Sequence, residues 1–173
     1  MKKSNIILIG FMGVGKGTVA RALVKKTNKF AIDTDDLIES MENRKIKKIF
    51  KKYGEPYFRD LEKKCAIWLQ NSVENTIIST GGGFYKQENL SKIGKVVYLK
   101  SSFEGIIKRL ENSPNAKAKF KKRPLLKDQE KAKELYNQRV GQYEAVADLV
   151  VDVEQIEIDT IINNIIEGTN ENN

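Results

Sequence analysis

The 173-residue sequence contains no histidine and a single cysteine, Cys65. One cysteine cannot form an internal disulfide or a multi-cysteine metal site, and without histidine the commonest general base and transition-metal ligand are missing. If the protein is an enzyme, we therefore expect its general base to be a carboxylate. A single thiol also fits a reducing compartment, so we expect a cytoplasmic protein.

Long apolar runs are missing too. No stretch approaches the roughly 20 apolar residues that a membrane span requires, so we expect no membrane partner. The first ten residues combine a basic start with a short apolar run, but a glycine-rich loop follows instead of a cleavage site. We interpret this run as a buried strand rather than a signal peptide. The chain length predicts a single domain.

Positive charge is in excess, with a formal net charge of +8. Such a charge favours anionic partners, and nucleotide phosphates, acidic metabolites and nucleic acid are all compatible with it. Much of the excess lies in two lysine-rich stretches, 44–52 and 117–123, which we interpret mainly as solvated surface. Interleaved aromatic residues that could stack on RNA bases are lacking, so we expect no nucleic-acid partner.

Short apolar segments alternate with helical patterns along the chain. The apolar runs predict five strands, at 5–9, 29–33, 76–79, 95–100 and 149–153. Strands that alternate with helices imply a parallel sheet with helices on both faces. The sequence therefore predicts a three-layer α/β/α domain with a central five-stranded parallel sheet.

Two connecting segments are longer than a simple crossover requires. Residues 36–70 form the longest helical stretch, interrupted at Gly54 and Pro56, and predict a small substrate-binding helical subdomain. Residues 112–127 are polar and basic and contain two prolines. Because long loops in compact domains commonly act as lids, we expect a lid here. The tail, 168–173, is expected to fray.

A glycine-rich loop follows the first strand. Residues 10–18 read GFMGVGKGT and match the pattern of a glycine, four residues and then Gly-Lys, placed between a strand and a helix. Backbone N–H groups at the start of a helix attract phosphate, and Lys16 adds a charge for the β- and γ-phosphate oxygens. The candidate ATP-binding residues in the loop are Gly13, Val14, Gly15, Lys16, Gly17 and Thr18.

One position of this loop departs from the usual pattern. Gly17 stands where a serine or threonine normally binds magnesium, and Thr18 follows one place later. Two interpretations stay open. Either Thr18 supplies the hydroxyl, or the metal relies on phosphates, waters and a carboxylate, which suits magnesium because it accepts few protein ligands.

Two further motifs follow the second and third strands. Asp33-Thr34-Asp35 and Gly81-Gly82-Gly83 both fall at the carboxyl edge of the predicted sheet, where ligands of such folds bind. Each motif has an alternative interpretation, since an aspartate at a strand end can cap a helix and three glycines can form a flexible turn. Consecutive glycines also leave backbone amides open to close approach by a substrate.

Together these motifs resemble the shikimate kinase family over nearly the whole chain. The resemblance rests on the phosphate loop, the aspartate motif, GEPYFR at 54–59 with Glu62, TGGG at 80–83 and KRPLL at 122–126, in the family's order and approximate spacing. It implies ATP-dependent phosphorylation of the 3-hydroxyl of shikimate in aromatic amino-acid biosynthesis. It also implies the fold of nucleoside-monophosphate kinases, with ATP and magnesium required and shikimate as the small-molecule partner. We expect a monomer.

The resemblance implies roles for individual residues. Asp35 would orient the acceptor hydroxyl, Arg123 would close from the lid over the phosphates, and Asp33 would be an outer-shell partner of magnesium. Arg109 would lie beside the adenine. The implied catalytic residues are Lys16, Asp35 and Arg123, the ATP contacts beyond the loop are Arg109 and Arg123, and the candidate metal positions are Gly17, Thr18 and Asp33.

The acceptor side is implied in the same way. Arg59 and Arg139 offer planar forks suited to one carboxylate, which lysine could not match. Glu62 lies three residues beyond Arg59 on a predicted helix, so it can neighbour and orient that arginine. The implied substrate-binding residues are Asp35, Arg59, Gly81, Gly82, Gly83 and Arg139.

Other kinases remain alternatives. Gluconate kinases and nucleoside-monophosphate kinases share the phosphate loop and the lid. Adenylate kinases also use the Gly-Thr pairing that this sequence has at 17–18. The triple glycine and Phe58-Arg59 favour a small acceptor that carries a carboxylate. A more distant alternative is a nucleotide- or RNA-binding protein without kinase activity.

Overall fold

The computed structural model describes residues 4–170 and contains a parallel five-stranded sheet in the order β2-β3-β1-β4-β5. The predicted parallel α/β fold is therefore confirmed, and every predicted strand end lies within one residue of the observed end. The strands are β1 (Ile6–Ile9), β2 (Phe30–Asp33), β3 (Thr76–Ser79), β4 (Lys95–Lys100) and β5 (Leu149–Asp152).

Helices connect successive strands, and two 3-10 turns lie at Phe84–Lys86 and Pro124–Lys127. None of the helices between residues 4 and 170 is long and apolar enough to cross a membrane. The α-helices of this part of the chain are α1 (Lys16–Thr27), α2 (Thr34–Glu42), α3 (Ile46–Ser72), α4 (Leu90–Ile93), α5 (Phe103–Glu111), α6 (Ala116–Lys121), α7 (Gln129–Val146) and α8 (Ile158–Asn170).

The central strand β1 is buried along its whole length, as its uninterrupted apolar sequence predicts. Asn5, immediately before it, is also fully buried. Its side-chain amide donates to the carbonyl oxygens of Val73 and Ile93, both at 2.8 Å, and its Oδ1 accepts from Thr76 N at 2.9 Å. Asn5 thus fixes the starts of the neighbouring strands relative to one another. The strand ends at the opposite edge of the sheet, and the loops that follow them, are positioned by the same register.

The helical segment predicted at 36–70 consists of two helices. The chain turns after α2 at Asn43, which has φ 46°, and α3 kinks at Gly54, which has φ 82°. Pro56 does not end the helix, because it lies directly after the kink, where a missing N–H is tolerated. The two helices share a small apolar cluster separate from the main core, formed by Ile38, Ile49, Phe58 and Leu61.

The segment at 112–127 contains α6 and the second 3-10 turn, and Leu126 anchors it in the main core. At the C-terminus, the expectation that the tail frays from residue 168 is wrong for its first three residues, because α8 continues to Asn170. Gly168 packs closely against Leu149, where an added Cβ would lie 2.7 Å from Cδ2. The rest of the predicted tail, 171–173, lies outside the described residues.

Candidate active site

Lys16 begins α1 and its side chain folds back over the phosphate loop. Nζ donates to the carbonyl oxygens of Gly10 at 2.6 Å and Phe11 at 3.1 Å. Burial lowers the pKa of Lys16 to about 8, while the nearby carboxylates of Asp35 and Asp33 oppose that shift. The ammonium group therefore lies inside the loop and close to the aspartates that follow β2.

The glycines of the loop are required by its conformation. Gly13 has φ 84° and Gly15 has φ 114°, a region that other residues rarely adopt. A Cβ on Gly13 would lie 2.8 Å from Leu110, and one on Gly15 would lie 2.9 Å from the Arg109 guanidinium. Larger residues at either position would push α5 and its arginine away from the loop.

Arg109 projects from α5 onto the phosphate loop. Its Nη1 donates to Gly13 O at 3.1 Å and its Nη2 donates to Thr18 Oγ1 at 3.2 Å. A cavity of about 300 Å³ lies beside it, lined in part by Val14 and by residues 153–156. The cavity has room for a nucleoside base, so Arg109 stays a candidate for the predicted adenine contact.

The hydroxyl of Thr18 faces positive charge. In addition to Arg109, it accepts a long hydrogen bond of 3.5 Å from Arg21 Nη2. A hydroxyl between two guanidinium groups is a poor ligand for a cation. Gly17 leaves open space instead, since an added Cβ would meet only Arg21 Nη1, at 3.4 Å. The arrangement favours the interpretation in which magnesium relies on phosphates, waters and a carboxylate.

Asp33 ends β2 and caps α2, as the alternative interpretation of the aspartate motif predicts. Its Oδ1 accepts from the backbone N–H groups of Asp35 at 2.9 Å and Asp36 at 3.2 Å, and its Oδ2 accepts from Ser79 Oγ at 2.8 Å. Residues 4–170 contain no cluster of three or more His, Cys, Asp or Glu that could hold a metal ion. The oxygen donors present suit magnesium that keeps most of its waters, with Asp33 in the outer shell.

Asp35 lies in the first turn of α2 with one carboxylate oxygen unsatisfied. Its Oδ1 is buried and has no hydrogen-bond partner within the described chain. Burial raises the pKa of Asp35 to about 7, the charges of Asp33 and Glu62 add to this shift, and Lys16 opposes it. A Cβ on Gly81 would lie 2.5 Å from Oδ1, so only glycine permits this approach. Buried, unpartnered carboxylates with raised pKa values are typical of general bases.

The glycine turn after β3 is fixed rather than flexible. Gly81 N donates to Thr34 Oγ1 at 3.1 Å, and Thr34 is fully buried. Thr80 Oγ1 donates to Leu8 O of β1 at 2.8 Å. An added Cβ on Gly82 would lie 3.8 Å from Met12 N, so the turn adjoins the phosphate loop. The glycines thus join the two predicted halves of the site.

Helix α7 supports the same turn from the other side. Arg139 Nη1 donates to Gly82 O at 3.2 Å, and Tyr143 OH donates to the same oxygen at 2.6 Å. Arg139 was predicted to contact the substrate, and the structure does bring it to the glycine turn. No role was predicted for Tyr143, although its position four residues after Arg139 places both on one helix face.

Arg59 lies on the kinked helix α3 between two glutamates. Its Nη1 donates to Glu62 Oε2 at 2.5 Å, which confirms the predicted pairing, and Nε and Nη2 donate to Glu55 Oε1 at 3.1 and 2.9 Å. Glu62 is only 1% exposed, and its Oε1 is buried with no partner among the described residues. Burial raises the pKa of Glu62, while Arg59 and Arg139 oppose the shift. Gly83 packs directly against the Arg59 guanidinium.

Arg123 lies at the start of the second 3-10 turn. Its Nη1 donates to Lys119 O at 2.9 Å. Burial and the neighbouring charge of Arg109 lower the pKa of Arg123, and the charge of Arg123 in turn helps to lower the pKa of Lys16. The predicted lid arginine therefore lies close enough to Arg109 and Lys16 for their charges to interact.

Most predicted site residues converge on the carboxyl edge of the sheet, with the phosphate loop on one side and the aspartates, glycines and two arginines on the other. The sequence did not identify several residues that hold these groups in place. Glu55 lies four residues before Arg59, a spacing that indicates a helical ion pair, but Ser79 and Thr34 act through contacts between strands that no local pattern reveals. The residues missed are Thr34, Glu55, Ser79 and Tyr143.

Comparisons with known proteins identify the family. The shikimate kinase family model matches residues 12–170. A shikimate kinase of Helicobacter hepaticus is 39% identical over 147 residues, covering 85% of each chain, and one of Clostridium botulinum is 45% identical over 146 residues, covering 81% of this chain and 82% of the relative. The structure of shikimate kinase from Acinetobacter baumannii in complex with shikimate is 31% identical, with a TM-score of 0.85 over 99% of this chain and 95% of the other. The chain therefore belongs to the shikimate kinase family.

Proposed function

We propose that this protein transfers the γ-phosphoryl group of ATP to the 3-hydroxyl of shikimate and releases shikimate 3-phosphate and ADP. The observation that carries this proposal is the buried Asp35 Oδ1, which has no hydrogen-bond partner in residues 4–170 and lies against the glycine turn. A substrate hydroxyl at this position would donate the missing hydrogen bond. Family membership and the shikimate complex of the Acinetobacter relative support shikimate as the acceptor.

The two arginines at the glycine turn suit the carboxylate of shikimate. Arg59 is held by Glu55 and Glu62, and Arg139 is held by Gly82 O. Fixed guanidinium groups lose little conformational entropy when they bind, and they can bind a carboxylate bidentately. The substrate would thereby be oriented with one hydroxyl towards Asp35.

The chemical step needs only modest basicity. The acceptor oxygen attacks the γ-phosphorus, the bond from that phosphorus to the oxygen of the leaving ADP breaks, and the hydroxyl proton passes to Asp35. Since the transition state of phosphoryl transfer is loose, positioning and charge neutralisation matter more than a strong base. A carboxylate with a pKa of about 7 is well matched to this role near neutral pH.

The phosphate side supplies positive charge. Lys16 would contact the β- and γ-phosphate oxygens, and Arg123 would approach them from the segment at 112–127, which we propose acts as a lid. A lid that completes the site only when both substrates are bound also limits hydrolysis of ATP by water. Magnesium bound to the phosphates, with Asp33 as an outer-shell partner, would neutralise further charge.

A coupled assay for ADP release tests the proposal. The protein is supplied with ATP, magnesium and one of three acceptors: shikimate, gluconate or AMP. We expect ADP release that depends on shikimate and is at least about tenfold slower with the other two. Faster turnover with gluconate or AMP would favour those alternatives, and ATP binding without acceptor-dependent ADP release would favour a non-catalytic protein.

We also propose a setting for this activity. The enzyme would work as a monomer in the cytoplasm, within aromatic amino-acid biosynthesis. Light scattering during size-exclusion chromatography tests the first part, and a molar mass near the 19.7 kDa of one chain is expected. A mass near twice that value would contradict the monomer.

A further inference from the structure

One hydrogen bond at the glycine turn connects it to a residue outside the predicted set. Gly82 O accepts two hydrogen bonds from α7, the shorter from Tyr143 OH at 2.6 Å and the longer from Arg139 Nη1 at 3.2 Å. The carbonyl oxygen has two lone pairs, and both are used. Arg139 therefore shares its carbonyl partner with a residue that carries no charge.

Packing, rather than the hydrogen bond, fixes the position of the Tyr143 ring. The residue is 1% exposed and stacks on Tyr98 with ring centroids 5.2 Å apart and planes inclined by 23°. Tyr85 meets it edge to face, with centroids 4.7 Å apart. Such aromatic pairs add stability beyond their buried area. Burial raises the pKa of Tyr143 to about 12, so its hydroxyl remains a donor at neutral pH.

Two groups use the single guanidinium of Arg139 as a hydrogen-bond donor. In the proposed reaction it binds the carboxylate of the acceptor, yet it also donates to Gly82 O. Without the Tyr143 hydroxyl, this part-buried carbonyl would depend on Arg139 alone for its hydrogen bond. The carbonyl would then compete with the substrate for the arginine.

We propose that Tyr143 is a positioning residue for the acceptor. Its hydroxyl fixes the Gly82 carbonyl in the glycine turn and frees the Arg139 fork for the substrate carboxylate. The identity of that substrate rests on the proposed function. Tyr143 would touch neither substrate, and its effect would be felt on the acceptor side because its hydroxyl interacts with Gly82 O and with Arg139.

The test compares two tyrosine-to-phenylalanine variants from the same aromatic cluster. Tyr143→Phe removes the hydroxyl that reaches Gly82, whereas Tyr85→Phe removes a hydroxyl that donates to Gln142 Oε1 at 2.6 Å and not to a glycine of the turn. We expect Y143F to raise KM for shikimate about tenfold, as the loss of one good hydrogen bond implies. KM for ATP should stay within about twofold, and Y85F should leave both constants within that range.

A double-variant cycle with Arg139→Lys separates positioning from a general structural effect. If Tyr143 acts through the arginine fork, Y143F added to R139K should raise KM for shikimate less than about twofold. The same tenfold increase in both backgrounds would overturn the proposal, as would an equal increase in KM for ATP. Y143F and Y85F both keep the aromatic ring. The KM values can therefore be compared even if Y143F lowers the melting temperature.

Failure of the proposed function would look different. If wild-type protein released ADP with gluconate or AMP but not with shikimate, the substrate assignment would be wrong, and the same KM ratios measured with the true acceptor would decide the role of Tyr143. If no acceptor stimulated ADP release, both proposals would be wrong.

Discussion

The two halves of the site differ in how completely their polar groups are paired. On the phosphate side, Lys16 and Arg109 both donate to backbone carbonyls of the loop that they serve. On the acceptor side, Asp35 Oδ1 and Glu62 Oε1 are buried without hydrogen-bond partners among residues 4–170. The basic side chains at the phosphate loop are thus already paired within the chain, whereas the acceptor pocket lacks donors that a polyhydroxylated substrate can provide.

This difference suggests that the phosphate side provides binding of ATP, whereas the acceptor side determines which acceptor is used. The phosphate loop recognises phosphate, which many molecules carry, and adds little discrimination among acceptors. A pocket with buried unsatisfied carboxylates binds a molecule more tightly when its hydroxyls donate to them, and more weakly when they stay unpaired. We therefore expect changes on the acceptor side to alter substrate choice more than changes on the phosphate side.

The largest expected effect comes from Asp35→Asn, which keeps the shape of the side chain and removes the base. We expect kcat to fall by about 10² to 10⁴, the range typical of a lost general base. Asp36→Asn is the matched control, because Asp36 is the next residue of α2 and its side chain is exposed. Near-native turnover in D35N would remove Asp35 from the mechanism.

The same variant should be more stable than the wild type at pH 8. The pKa of Asp35 is raised to about 7 in the folded protein, so keeping it ionised above that pH costs folding free energy that asparagine avoids. We expect D35N to be stabilised by about 2 kcal/mol at pH 8, less than the full shift implies because Lys16 loses a counter-charge. The gain should shrink as pH falls through 7 towards 4, and thermal unfolding at several pH values measures it.

A second effect is expected from Arg59→Lys. Lysine keeps the charge but loses the fork that Glu55 and Glu62 hold in place. We expect KM for shikimate to rise about 30-fold, equivalent to about 2 kcal/mol, with KM for ATP nearly unchanged. Arg44→Lys, at an arginine whose guanidinium donates to Tyr53 OH at 3.0 Å, serves as the control. Equal increases in both KM values would mean that the two halves are not independent.

The pH profile should show a smaller, graded effect. Asp35 must lose its proton to accept another, so its raised pKa predicts that kcat/KM for shikimate falls as pH drops below about 7. The limiting slope is tenfold per pH unit, as for one ionisation. Steady-state rates in buffers of constant ionic strength between pH 5 and 8 measure this limb. A profile that stays flat down to pH 5 would show that Asp35 has an ordinary pKa.

The smallest effect is expected on the phosphate side, from Gly17→Ser. A serine side chain fits, since an added Cβ would meet only Arg21 Nη1 at 3.4 Å, and it restores the hydroxyl that phosphate loops normally offer to magnesium. We expect the magnesium concentration for half-maximal rate to fall about two- to fivefold, with little change in KM for shikimate. Gly141→Ser, at an exposed helical glycine with nothing within 4 Å, controls for helix propensity. An increase in the magnesium requirement would contradict this account of the loop.

The sequence predicted the fold, and it named candidate site residues that the structure brings to one edge of the sheet, because both depend on local signals. Apolar runs located β3 and β4 to the residue, and the glycine loop, the aspartate motif and the arginine-glutamate spacing are continuous in the chain. The sequence also predicted that Arg59 lies beside Glu62, since side chains three residues apart on a helix are neighbours.

Other features depend on contacts between distant segments and could not be predicted. Thr34 reaches Gly81 across neighbouring strand ends, and Tyr143 reaches Gly82 from a helix 61 positions later in the chain. The helical tail was missed because chain ends commonly fray, whereas the lack of a side chain at Gly168 allows α8 to pack on Leu149. The raised pKa of Asp35 likewise arises from burial, which composition does not reveal.

The claim that the acceptor side contains unsatisfied buried groups is tested most directly by measuring the pKa of Asp35 in the free protein. Carbon-13 NMR of the aspartate carboxyl groups, titrated from pH 3 to 9 and assigned by comparison with D35N, measures it without any substrate. We expect one aspartate resonance to titrate near pH 7 and to be missing from D35N. If every aspartate titrated near its ordinary pKa of about 3.9, the acceptor pocket would not be electrostatically unsatisfied and the account would be wrong.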